Sequence, residues 1–96
     1  MNIPEQVIIG GIPFKIEMNP ILTSESGDTC FGMCNNSEMV IKLHSGQPQE
    51  SLQHTFFHEI IHAICNVYNI KSEGEEEWIR HLVTPLYDTL TRNGIL

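Results

Sequence analysis

The sequence predicts a single α+β domain spanning residues 1–96, in which a small antiparallel sheet of about four strands packs on two helices. Three observations predict it. The first 44 residues hold short β-rich runs punctuated by Gly, Pro and Asn. The remainder holds two long runs with apolar residues at helical spacing. A chain of this length that is 41% apolar can bury one modest core and no second.

The strands form two hairpins. Gln6 to Ile9 and Ile12 to Met18 flank the pair Gly10-Gly11, which suits a tight turn, and Phe14, Ile16 and Met18 alternate with Lys15 and Glu17. Residues 19–28, with Pro20, Gly27 and several Ser and Thr, read as a loop that borders the functional site. Thr29 to Met33 and Met39 to Leu43 bracket the polar turn Asn35-Asn36-Ser37 as the second hairpin. In the last of these strands Lys42 and His44 alternate with Ile41 and Leu43, and it is expected to be the edge on which an extended peptide is laid.

Gly46-Gln47-Pro48 ends the sheet, and a helix is expected from about Pro48–Ser51 to Tyr68. Its Phe56, Phe57, Ile60, Ile61, Ile64 and Val67 give it a wide apolar surface, as befits a helix packed between a sheet and another helix. The second helix is expected from Glu75 to Arg92. Ile79, Leu82, Val83, Leu86 and Leu90 would form its core stripe, Glu75-Glu76-Glu77 its acidic first turn, and Pro85 a kink.

The first helix carries His58-Glu59-Ile60-Ile61-His62, an H-E-x-x-H motif. At ~3.6 residues per turn its two histidines stand roughly 40° apart and about 6 Å along the axis, so both imidazoles reach one ion. Glu59 is turned about 100° from His58, placed to touch a water rather than the metal. A catalytic zinc takes three protein ligands. An antiparallel second helix returns its first turn to this region, where Glu75 and Glu76 face inward and Glu77 faces away; geometry leaves Glu75 and Glu76 both open. His54, one turn before His58, is read as a surface residue, Cys65 as a small buried hydrophobe, and Cys30 and Cys34 as packing residues on one strand face. Tyr87, His44, His81 and Tyr68 are the candidates to stabilise an oxyanion, with core packing and a satisfied hydroxyl the better reading of Tyr87.

The formal charge is −7, from twelve acidic and five basic residues, which argues against nucleic acid or an anionic membrane as partner and favours a basic or neutral protein. No run approaches the ~20 apolar residues of a membrane span, and no signal peptide is evident. Three cysteines then point to reduced thiols in the cytoplasm.

Thr55-Phe56-Phe57-His58-Glu59-Ile60-Ile61-His62-Ala63-Ile64, followed by Glu76-Glu77-Trp78-Ile79-Arg80-His81-Leu82-Val83, resembles the small phage and prophage relatives of the ImmA/IrrE metallopeptidases. The resemblance implies a minimal zincin-like fold, with His58, His62 and Glu76 as metal ligands and Glu59 as the catalytic base. It also implies a zinc-dependent peptidase, phage-encoded and active in the host cytoplasm, in which zinc activates a water, Glu59 takes its proton, and a specific protein is cut. The alternative is a non-catalytic protein on the same fold that binds and regulates a host protein; Glu59, which a purely structural site would not need, separates the two.

Overall fold

A computed structural model describes residues 2–96. Its elements are β1 (Gln6–Ile9), β2 (Ile12–Asn19), β3 (Gly32–Asn35), β4 (Val40–His44), α1 (Gln49–Val67) and α2 (Glu75–Arg92). The α+β class is as expected. The sheet is mixed rather than antiparallel: its order is β1-β2-β4-β3, and β2 pairs with β4 in parallel.

The physical reason lies in the strands themselves. β4 is the most apolar of them, with Val40, Ile41 and Leu43 all buried, and it takes an interior position between β2 and β3. β3, with Gly32 and Asn35, is the poorest in buried side chains and takes the edge. The sequence places the substrate-facing edge at Met39 to Leu43; the edge strand is instead β3. Residues 20–31 make this order reachable by crossing from the end of β2 to the outer strand. Within them Thr29 bridges Thr23 and the Cys30 amide donates to the Leu22 carbonyl, so the expected strand start at Thr29 is engaged elsewhere. Cys30 therefore precedes β3 and shares no strand with Cys34. The turn at residues 36–39 is held by the Asn35 carboxamide, which accepts from the Ser37 hydroxyl at 2.8 Å and the Glu38 amide at 3.1 Å.

The Gly10-Gly11 hairpin forms as predicted, both residues at positive φ (57° and 79°). Its tip lies against the C-terminal turn of α1, where a Cβ on Gly10 would fall 2.6 Å from Val67 Cγ1. The core between sheet and helix is formed by Ile9, Phe14, Ile16, Ile41 and Leu43 from the strands and Leu52, Phe56 and Ala63 from α1. α2 packs on α1 alone. Its buried stripe is Ile79, Val83 and Tyr87, one residue every fourth position, while Leu82 and Leu86 of the expected stripe are 46% and 37% exposed. Without a sheet behind it, α2 needs only a narrow apolar face. The helix continues through Pro85, which lies on its exposed side.

Gln47 joins the sheet to the start of α1. Buried, it donates from Nε2 to the carbonyls of Phe31 and His44, both at 2.9 Å, and its Oε1 accepts from Ser51 at 2.7 Å and Thr55 at 3.1 Å. The outer end of β3, the end of β4 and the first two turns of α1 are thus locked to one carboxamide. Replacing it with an apolar residue strands both carbonyls' partner-side lone pairs and two hydroxyls. Gln47→Leu should lower unfolding free energy by about 1–3 kcal/mol, read as a lower urea midpoint with unchanged slope; an unchanged midpoint would show that the network contributes nothing to stability.

Candidate metal centre

The site forms where α1, α2 and the edge of the sheet meet. Three of its side chains converge on one point: His58 and His62 from α1 and Glu76 from the first turn of α2. Each offers one donor atom, all within 4.8 Å of one another, a group able to hold a metal ion. His58 Nε2 lies 2.8 Å from Glu76 Oε1, His62 Nε2 lies 2.6 Å from Glu76 Oε2, and the two Nε2 atoms are 3.2 Å apart.

Proton bookkeeping makes this triangle informative. The Glu76 carboxyl is held below the usual carboxylate range; burial pushes it up, but His58 and His62 outweigh that through charge and hydrogen bonding. With Glu76 ionised, each Nε2 needs a proton to bond it, and the two N–H groups then face each other across 3.2 Å, donor to donor. Removing either proton leaves a nitrogen lone pair against a carboxylate oxygen. With Glu76 ionised, no placement of the imidazole protons satisfies all three contacts at once. A cation between them would relieve the conflict: donors bound at ~2.0–2.1 Å in a tetrahedron stand ~3.3 Å apart, as the two Nε2 atoms do at 3.2 Å, while the two contacts to Glu76 are shorter.

Glu75, the other carboxylate the sequence leaves open, sits differently. Its Oε2 is 2.8 Å from His62 Nδ1, on the far side of the ring from Glu76. It therefore fixes the ring's orientation and makes Nε2 the nitrogen that faces the cluster. Nothing in the sequence separates the two roles, because one residue step on a helix decides which edge of the imidazole each carboxylate meets. Glu77 is exposed, as expected.

The two histidines differ electrostatically. Burial holds His58 below the ordinary histidine value, against the pull of Glu76. Burial acts downward on His62 too, but hydrogen bonds from Glu75 and Glu76 with the charge of Glu59 raise it overall.

Glu59 is 8% exposed, the one buried carboxylate among the described residues. Burial pushes it up to about 7, opposed by His62 and reinforced by Glu76. Its room comes from Gly32: a Cβ there would lie 2.5 Å from Thr55 Cγ2 and 3.2 Å from Glu59 Cγ, so only glycine lets β3 come this close to the motif. The sequence displays Gly32, but the close approach it permits depends on a strand pairing that local pattern does not reveal.

Two clefts flank Glu59 and Glu76. The first, about 600 Å³, runs past Cys34, Asn36, Ile70 and Lys71; the second, about 340 Å³, runs past Phe31, His54, Thr55 and Arg80. Gly32 of the edge strand borders both. The loop expected to border the site, residues 19–28, lines neither cleft; residues 29–31, expected at the start of the next strand, line the second. None of the oxyanion candidates Tyr87, His44, His81 and Tyr68 lines either cleft. Tyr87 is a core residue whose hydroxyl donates to Gln53 at 2.6 Å. His54 lies 3.0 Å from the Thr84 hydroxyl and edge-on to Tyr87, so it belongs to the helix seam as well as to the second cleft. Cys65 is buried, its thiol pushed up by burial and by the neighbouring Glu75; Cys34 is pushed up to about 11 by burial and Glu59. All three cysteines are free.

Comparison with known proteins finds no matching family model, and no curated protein or solved structure of significant similarity.

The raised Glu59 fixes a pH dependence for chelator-treated protein. Between the ordinary carboxyl value of 4.5 and about 7 the folded chain holds a proton that the unfolded chain has lost, so this residue's contribution to stability declines as pH rises through that window. Glu59→Gln removes the decline. The variant should be more stable than the parent at pH 8 by on the order of 1–3 kcal/mol, with the gap closing towards pH 4.5 in denaturant titrations. A variant less stable at pH 8 would contradict the burial of a charge at this position.

Proposed function

We propose that the chain is a zinc-dependent peptidase of the ImmA/IrrE kind, with His58, His62 and Glu76 as the ligand set and Glu59 as the base. The observation that carries the reading is the triangle of donors, His58, His62 and Glu76, whose contacts the imidazole protons do not satisfy together when Glu76 is ionised and which a cation would. The H-E-x-x-H pattern supports it independently, as it supplies both ligands and an adjacent carboxylate on one helix.

A zinc ion bound there supplies a Lewis acid that polarises a carbonyl and acidifies water. Glu59 faces the same space without joining the ligand set. Its carboxylate accepts the proton of an attacking water and then returns it to the departing amine, and burial that raises its affinity for a proton suits that role. Glu75 keeps the His62 ring in its ligating orientation.

Substrate alignment falls to β3. In the antiparallel pairing of β3 with β4, the His44 amide donates to the Phe31 carbonyl, so the backbone groups of Gly32 and Cys34 point away from the sheet by the alternation of such ladders. An extended peptide adding to this edge passes Glu59 and runs from one cleft into the other. A chain this small needs no separate binding lobe on that arrangement. The encoding genome would be a phage and the working compartment the host cytoplasm; among the described residues no helix is long and apolar enough to cross a membrane.

Purified protein dialysed against metal-free buffer should retain ~1 equivalent of zinc. Glu76→Gln should weaken zinc binding more than Glu75→Gln, for which a loss of roughly 10–100-fold is expected, and Glu77→Gln should leave it unchanged. Equal zinc content in a His58→Ala, His62→Ala double variant would refute the site.

For activity, the chain is co-expressed with candidate phage and host proteins and new termini are sought by mass spectrometry. Glu59→Gln should keep the zinc and lose cleavage by at least ~10²-fold. A partner held intact, and equally tightly by parent and Glu59→Gln, would instead establish the non-catalytic binding protein.

A further inference from the structure

We infer that the second cleft is a carboxylate-recognising subsite, in which Arg80 selects peptides that carry an acidic group close to the scissile bond; this rests on the peptidase reading above. The chain has five lysines and arginines against twelve acidic residues, yet two of the five, Lys71 and Arg80, border the groove. Of the other three, Arg92 holds both Asp88 oxygens at 2.8 and 2.9 Å, and Lys15 stands 3.6 Å from Glu17.

Arg80 is the only lysine or arginine lining the second cleft. Its Nη2 meets Glu76 Oε1 at 3.4 Å, the long limit of a hydrogen bond, and its side chain is 68% exposed. The oxygen it meets already faces His58 at 2.8 Å. Most of the planar donor fork is thus uncommitted, and a fork of that shape matches a carboxylate with two parallel bonds. The two carboxylates that also line the cleft do not cancel it. Glu76 is engaged by both histidines, and the charge that acts favourably on Glu59 is that of His62.

The remaining wall suits the same ligand. Thr29 brings a hydroxyl to the same wall, and Phe31, 60% exposed, gives an aliphatic stem an apolar surface. Elsewhere the chain's net charge of −7 repels acidic peptides, so a single open guanidinium beside the reacting centre makes their binding local to this cleft. The short reach from guanidinium to the Glu76 ligand oxygen sets the spacing: the recognised carboxylate lies within one or two residues of the bond to be cut.

The test uses two small probes that anchor through a hydroxamate on zinc, succinic acid monohydroxamate and its neutral amide analogue, titrated calorimetrically into zinc-loaded protein. The acid should bind about tenfold or more tighter than the amide. That ratio should fall to near one in Arg80→Gln, recover in part in Arg80→Lys, and persist in Arg92→Gln, which removes the same charge at a distance. Equal binding of acid and amide by the parent, or a ratio retained in Arg80→Gln, would overturn the subsite while leaving the metal centre standing. Failure of both hydroxamates to bind would overturn the metal centre and the subsite together.

Discussion

The seam between α1 and α2 is the constraint on which the site depends. α2 touches no other element, yet it delivers both Glu75 and Glu76 to the histidines of α1. Its position is set by Ile79 and Val83, both fully buried, with Tyr87 closing the far end through its rings and its hydroxyl bond to Gln53. Burial of each such aliphatic side chain contributes about 1.5–3 kcal/mol, so a handful of contacts holds the helix against α1. The antiparallel run of the two helices then makes the carboxylates at one end and Tyr87 at the other parts of a single rigid register.

Electrostatics at that junction oppose stability. Two imidazoles and three carboxylates meet over a few ångströms, with Glu59 buried and its carboxyl raised to about 7. A structure selected for stability alone would place an apolar residue beside Gly32 and Thr55, where the core is otherwise continuous through Phe56 and Ala63. Local cost concentrated at one cluster, with the surrounding core well packed, is the pattern expected where a fold has been bent to a purpose.

Much of this was legible in the sequence, and the boundary of what was not has a physical cause. The helices, the Gly10-Gly11 turn, the pairing of His58 with His62 and the outward direction of Glu77 follow from local periodicity, which acts over a turn or two. Sheet order does not. Nothing local tells β4 to pair with β2 in parallel, so local pattern points to the wrong strand of the second hairpin as the edge. The core stripe of α2 is narrower than its periodicity suggests for a related reason: Leu82 and Leu86 are apolar, but with α1 as the only neighbouring element there is no second surface to cover them. The division of labour between Glu75 and Glu76 was hidden as well, since both point inward and only the orientation of the His62 ring tells them apart.

Two imidazoles and one carboxylate around a single cation form the centre of the proposed function. X-ray absorption at the zinc edge of the loaded protein tests it most directly. The expected spectrum fits four light nitrogen or oxygen neighbours at ~2.0–2.1 Å with the outer-shell scattering of two imidazole rings, and loses one light neighbour's signature in Glu76→Gln. A sulfur neighbour at ~2.3 Å, which would bring Cys34 or Cys65 into the ligand set, or scattering from a single imidazole, would contradict it.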